Sequence, residues 1–124
     1  MRTKSKTLTE QELEIMKVVW ELRTATVRAV YEELLKRRKI AYTTVMTMMN
    51  ILEAKQYLKK QAGGRAYVYQ ATRSRSEVIK GMVREFVDRV FNGSAEPLLV
   101  HLIKERRLSP KDLEKMARTI AEAE

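Results

Sequence analysis

The chain has 124 residues, enough for one or two small domains around a modest core. Its 25 Lys and Arg outnumber 16 Asp and Glu, a formal charge of +9 that points to a polyanionic partner, nucleic acid or an anionic membrane surface. It contains no cysteine, which excludes disulfides, thiolate zinc sites and a cysteine nucleophile.

Residues 1–8 read as a flexible basic tail. An acidic amphipathic helix follows in place of the apolar core of a signal peptide. No apolar run approaches the roughly 20 residues of a membrane span, so no membrane insertion is expected and the cytoplasm is the expected location. Thr9-Glu10-Gln11-Glu12 is a capping box, in which a hydroxyl caps the first turn and a carboxylate reaches back. It opens a helix over 10–22, with Leu13, Met16, Val19 and Trp20 inward. Thr24-Ala25-Thr26 is a short link with room for a brief strand. Thr26 can cap a second helix over 27–37, with Val27, Val30, Tyr31 and Leu34 inward. Arg37-Arg38-Lys39 suits its C-terminal dipole and could equally serve phosphate contact.

A third helix is expected over 44–56, and its division of faces is unusual. Val45, Met48, Met49 and Leu52 follow the spacing of a buried stripe. Thr43, Met46, Thr47 and Asn50 fall opposite, where an ordinary surface helix carries Lys, Glu and Arg. No charge occurs from Ala41 to Leu52. Short polar side chains allow close approach to base edges, and threonine offers both a hydroxyl and a methyl. A short turn between two helices, the second with such a face, is a helix-turn-helix pattern. Thr43 is either a base contact or the helix cap.

Two extended runs, 57–61 and 66–70, flank Ala62-Gly63-Gly64-Arg65 and read as a β-hairpin, the wing of a winged helix. Asn50 is either a base contact or a hydrogen-bond partner of this wing. Tyr67 and Tyr69 share a face and are expected to pack on the helices. The domain boundary is placed at 72/73. Residues 1–72 hold 14 basic and 7 acidic side chains, the remainder 11 and 9, so the positive field lies on the helix-turn-helix part.

Ser74-Arg75-Ser76-Glu77 is a second capping box, opening a helix over 75–91 that ends at Asn92-Gly93. Further helices are expected over 96–107 and 110–122. About 50 residues rarely hold a core alone. Ile79, Met82, Val83, Phe86, Val90, Leu98, Leu102, Leu113, Met116 and Ile120 are therefore expected at a homodimer interface, which would place two recognition helices on one duplex. The fold class is mainly α with a small β-hairpin wing: a winged helix-turn-helix over 9–72 and a helical dimerisation module over 73–124.

On double-stranded operator DNA, the expected base contacts are Thr43, Thr44, Met46, Thr47 and Asn50. The expected phosphate contacts are Arg38, Lys39, Tyr42, Lys59, Lys60 and Arg65. No Arg or Lys on the exposed face of the third helix can fork onto guanine, so thymine methyls and A·T-containing half-sites suit it better. An enzyme is not expected: His101 is the only histidine, and no nucleophile–base pair or metal-ligand spacing accompanies it. No cofactor or metal is implied. The competing readings are a helical protein-interaction adaptor and a winged-helix regulator under another signal.

Leu8-Thr9-Glu10, Met16-Lys17-Val18-Val19-Trp20, Ala41-Tyr42-Thr43-Thr44-Val45 and Gly64-Arg65-Ala66-Tyr67-Val68-Tyr69, in this order, resemble the BlaI/MecI/CopY family of winged-helix repressors. Phe91-Asn92-Gly93-Ser94 and Leu108-Ser109-Pro110 fit as well, so the likeness runs from residue 8 to about 121. The resemblance implies an operator-binding N-terminal domain, C-terminal dimerisation helices and control of a resistance or stress operon. In the penicillinase branch it further implies a membrane sensor metalloprotease as partner and derepression by cleavage in the dimerisation helices. The staphylococcal members' Asn-Phe cleavage pair aligns with His101-Leu102, a departure from the pattern. The cysteine pairs of the copper-responsive branch have no counterpart.

Overall fold

Thr9 opens the first helix, α1 (Glu10–Leu22), with both halves of the capping box formed: Glu12 N–H donates to Thr9 Oγ1 at 3.1 Å and Thr9 N–H to Glu12 Oε1 at 3.0 Å. The computed structural model describes residues 8–123, so the expected basic tail lies outside the described residues except for Leu8. Leu8 is no part of a tail. It is buried one residue before the cap, and with Leu13 it has the spacing of a hydrophobic staple that fixes how the chain enters α1.

A two-residue strand, β1 (Thr24–Ala25), leads to α2 (Val27–Leu35), whose Ala29 N–H donates to the capping Thr26 Oγ1. α3 (Tyr42–Ala54) follows and ends in a Schellman turn: Gln56 N–H donates to the Glu53 carbonyl, and Tyr57 N–H to that of Leu52. The left-handed position of that turn is filled by Gln56 (φ 71°), where glycine is usual. The turn aims the chain into β2 (Leu58–Gly63), which pairs antiparallel with β3 (Ala66–Ala71). The hairpin loop is only Gly64-Arg65, with positive φ at Gly64 alone, so β2 runs two residues closer to the tip than the sequence pattern suggests. A Cβ at Gly63 would collide with Val68 Cγ2, so glycine there serves cross-strand packing. β1 pairs with the outer side of β3, giving the order β1-β3-β2 and confirming the brief strand expected at Thr24-Ala25.

One core holds these elements together. Ile15, Met16, Val18, Val19, Val30, Leu34, Val45, Met49, Leu52 and Leu58 are almost wholly enclosed, each contributing roughly 1.5–3 kcal/mol. Leu13 and Trp20, expected inward, are only half-buried; Ile15 and Val18 take the centre of α1. The Trp20 indole N–H donates to the Arg73 carbonyl at 3.0 Å, and the Arg73 guanidinium lies 4.7 Å from the Tyr57 ring. Thr72 Oγ1 donates to the Gln56 carbonyl at 2.6 Å, so the strand's exit is tied at three points.

The remaining helices are α4 (Arg75–Phe91), α5 (Glu96–Lys104) and α6 (Pro110–Ala123). Ser74 Oγ accepts from Glu77 N–H; the reciprocal half of that box is absent among the described residues. At α6 a full box forms between Ser109 and Asp112, which a search for the usual terminal Glu or Gln passes over. α5 stops three residues short of expectation because Arg106 adopts φ 62° and its turn bonds back to Leu102 and Ile103.

Chain contacts divide the molecule into units 1–82 and 83–124. The division falls inside α4 and not at 72/73, because Val78 and Met82 pack against the core of the first unit. In the second unit no described residue is buried. No described helix is long and apolar enough to cross a membrane.

Candidate nucleic-acid interface

α3 presents three stripes to solvent. Val45, Met49 and Leu52 anchor it in the core, with Met48 half-buried beside them. Thr43 and Thr47, one turn apart, lie farthest from that anchor. Thr44 flanks them on one side; Tyr42, Met46 and Asn50 form the stripe on the other. All six side chains are exposed, as a surface for base edges requires.

The helix begins two residues earlier than the pattern suggests. Its cap position is Ala41, which has no side-chain hydrogen bond to offer. Thr43 therefore sits inside the first turn, which removes its reading as the cap. The amides of Tyr42, Thr43 and Thr44 precede the first intrahelical bond, from Val45 N–H to the Ala41 carbonyl, and point outward along the helix dipole.

Between the Tyr42–Met46–Asn50 stripe, the start of α2 and the wing runs an open groove of about 600 Å³, lined also by Thr26, Arg28, Lys60, Arg65 and Tyr67. Three cations thus face one channel. Tyr42 is held in it from two sides: the Tyr31 ring meets it edge-on at 5.4 Å, and Arg28 lies 5.5 Å from its centroid. Lys60 lies 4.5 Å from the Tyr67 ring and 3.6 Å from Glu53.

The two wing tyrosines part company. Tyr69 is 3% exposed and packs in the core, as expected; Tyr67 is 54% exposed. The strand's face is shared, but near its tip the hairpin outruns the helices that would cover it. The Tyr69 hydroxyl donates to Asn50 Oδ1 at 3.2 Å, so Asn50 does bond to the wing. Burial raises the Tyr69 pKa above the ordinary phenol value, against the nearby Lys60 charge that lowers it, and keeps the hydroxyl a donor at neutral pH.

The expected phosphate contacts separate in the same way. Lys60 and Arg65 line the groove with Tyr42; Lys59, its neighbour in β2, does not. Lys39 and Lys59 are exposed and carry no ion pair among the described residues. Arg38 is engaged within the protein: Nη2 lies 2.8 Å from Glu14 Oε1 and Nε 3.4 Å from Oε2. Sequence reasoning misses Arg28. It occupies the second position of α2, where the helix dipole disfavours a cation, and that mismatch is visible in the sequence.

Of the residues expected at a dimer interface, Val83, Phe86, Val90, Met116 and Ile120 are strongly exposed, and Ile79, Leu98, Leu102 and Leu113 are half-buried. Met82 is turned instead against the first unit's core. His101 is exposed in α5, 5.9 Å from the Phe91 ring, and Leu102 is half-buried beside it.

A family model described as penicillinase repressor matches residues 8–122. The chain is 33% identical over 119 residues to the transcriptional regulator BlaI of Mycobacterium tuberculosis, covering 94% of this chain and 85% of that one. It is 26% identical over 115 residues to the penicillinase repressor of Bacillus licheniformis, covering 93% and 90%. A solution structure of the DNA-binding domain of the repressor BlaI matches with TM-score 0.53 and 30% identity over 61% of this chain and 93% of that one. A Bacillus licheniformis BlaI monomer in complex with the blaP half-operator matches with TM-score 0.51 and 31% identity, covering 57% and 87%.

Proposed function

The chain belongs to the penicillinase repressor family and is a DNA-binding repressor, not an enzyme; from this premise we propose that it acts in the cytoplasm as a homodimer on a palindromic operator. The observation that carries the reading is the uncharged, exposed face of α3 bordered by a groove with three cations. Thr43, Thr44 and Thr47 read major-groove edges, with Met46 and Asn50 at the wing side of the same face. Tyr42, Lys60, Arg65 and Arg28 hold the backbone along the groove; Lys39 and Lys59 add charge beside it. Arg38 joins them by exchanging Glu14 for a phosphate. The half-operator complex of the Bacillus licheniformis relative supports this use of the winged-helix unit.

The lack of any buried residue among those described in the second unit supports the dimer. Its exposed Val83, Phe86, Val90, Met116 and Ile120 gain burial from a second copy. Derepression then requires only loss of the dimer, because each half-site gives up the effective concentration its partner supplied. Cleavage within α5, at or near His101-Leu102, by a membrane sensor metalloprotease would achieve that, and a resistance or stress operon is the regulated target.

The test is selection of genomic fragments by the purified chain, followed by sequencing. A palindrome with half-sites about 10 bp apart is expected. Enrichment of no sequence would refute operator recognition, and enrichment of single half-sites alone would refute the dimer.

A further inference from the structure

We propose that the Tyr69 hydroxyl sets the base preference of Asn50, by turning its carbonyl toward the wing and its amino group toward the DNA. This inference rests on the operator-binding reading above and specifies one position of it.

Tyr69 lies in β3, the central strand, paired on both sides. It is 3% exposed, so the phenol cannot swing, and its hydroxyl reaches the rim of the core at a fixed point. There it donates to Asn50 Oδ1 at 3.2 Å. Asn50 is exposed and lines the groove with Tyr42 and Met46. One end of the amide is thus engaged with protein, and the other has no hydrogen-bond partner among the described residues.

An asparagine amide reads adenine by a pair of bonds, giving a hydrogen to N7 and accepting one from the N6 amino group. That requires both ends of the amide to face the base. With Oδ1 drawn to Tyr69, the outward end is the NH2 group, which only donates. Its complements in the major groove are acceptors: guanine O6 and N7, thymine O4, and adenine N7, beside which the adenine N6 amino group, itself a donor, opposes the NH2 group. The half-site position opposite Asn50 therefore favours guanine or thymine, and adenine, left with one bond beside an opposing amino group, is disfavoured there although asparagine is the usual partner of adenine. A buried tyrosine thereby acts as a specificity-positioning residue.

The experiment uses the full chain and duplexes of about 30 bp randomised over two half-sites. Wild type, Asn50→Asp and Tyr69→Phe are compared by selection and sequencing, with circular dichroism melts confirming that each variant is folded at the assay temperature. Asn50→Asp keeps an acceptor for Tyr69 and removes the donor, so one position per half-site is expected to lose a preference of about fivefold for thymine or guanine. Tyr69→Phe frees the amide to turn, and adenine is expected to rise to within about twofold of the preferred base at that same position. Adenine preferred by the wild type at the Asn50-dependent position, or a Tyr69→Phe profile equal to the wild type's, overturns the proposal while leaving operator binding intact. A profile unaffected by Asn50→Asp overturns it too, since Asn50 would then read no base. Absence of any enriched sequence with the wild type overturns the operator reading and this inference together.

Discussion

Lys55 Nζ lies 2.9 Å from Glu12 Oε1 and 3.1 Å from Oε2, joining the residue that ends α3 to the first turn of α1. Glu12 is only 4% exposed and already spends one oxygen on the Thr9 amide. The helix proposed to face DNA is thus moored at its far end by the capping box of another helix. Burial raises the Glu12 pKa, but the Thr9 backbone bond and Lys55 together outweigh it and hold the carboxyl below its ordinary value.

Lys55→Met leaves that carboxylate enclosed with one partner fewer. A loss of about 1–3 kcal/mol in urea unfolding at pH 7 is expected. Because the folded pKa of Glu12 is depressed, its contribution is present above the unfolded carboxylate value and disappears as pH falls through the folded one. The variant, lacking a partner that lowers the pKa, should lose structure at higher pH than the wild type in an acid titration followed by circular dichroism. An unchanged acid midpoint would show that Thr9 alone sets the group.

Gln56 holds φ 71° in the turn between α3 and the wing. A side chain at that angle costs about 1 kcal/mol, whereas glycine pays mainly through the entropy of the unfolded chain. Gln56→Gly should therefore stabilise the protein by about 0.5–1 kcal/mol, read as a higher denaturation midpoint at unchanged slope.

Phe86→Asp places a charge on the exposed apolar face of α4. Sedimentation at micromolar concentration should change from dimer to monomer, with operator affinity falling by about 10²–10⁴. A variant that stays dimeric would remove Phe86 from the interface.

Operator affinity should fall steeply with salt. If each subunit neutralises three or four phosphates, the log–log slope is about −5 to −7. Arg28→Gln should reduce its magnitude by about 1–2 for the two copies of the proposed dimer. A slope near zero would discard the electrostatic role of the groove.

The winged helix was legible in the sequence because each of its signals is local. Thr9 and Thr26 mark helix starts, Gly63-Gly64 marks the hairpin, and the 3.6-residue spacing of Val45, Met49 and Leu52 sets the facing of α3. What escaped depends on distance along the chain. Tyr67 and Tyr69 are equivalent by alternation and differ only in what stands opposite them. Arg38 reads as a free cation until Glu14, 24 residues earlier, is beside it. The boundary in α4 moves because Val78 and Met82 meet a core built from residues far upstream. Thr43 was ambiguous for a different reason: a hydroxyl beside a helix start looks like a cap, and only the backbone shows that the helix has already begun.

Ala41 leaves the start of α3 without the side-chain bond that Thr9, Thr26, Ser74 and Ser109 supply to other helices. α5, whose cap position is Ala95, lacks such a bond too; at α3, the helix proposed to face DNA, the free protein thereby forgoes about 1 kcal/mol of stability. Ala41→Ser should recover it in a thermal melt, yet bind operator more weakly, since the new hydroxyl would occupy an amide that a phosphate oxygen could use. Sequence changes that make this repressor sturdier and those that make it a better binder pull in opposite directions at residue 41, a trade-off confined to one missing oxygen atom.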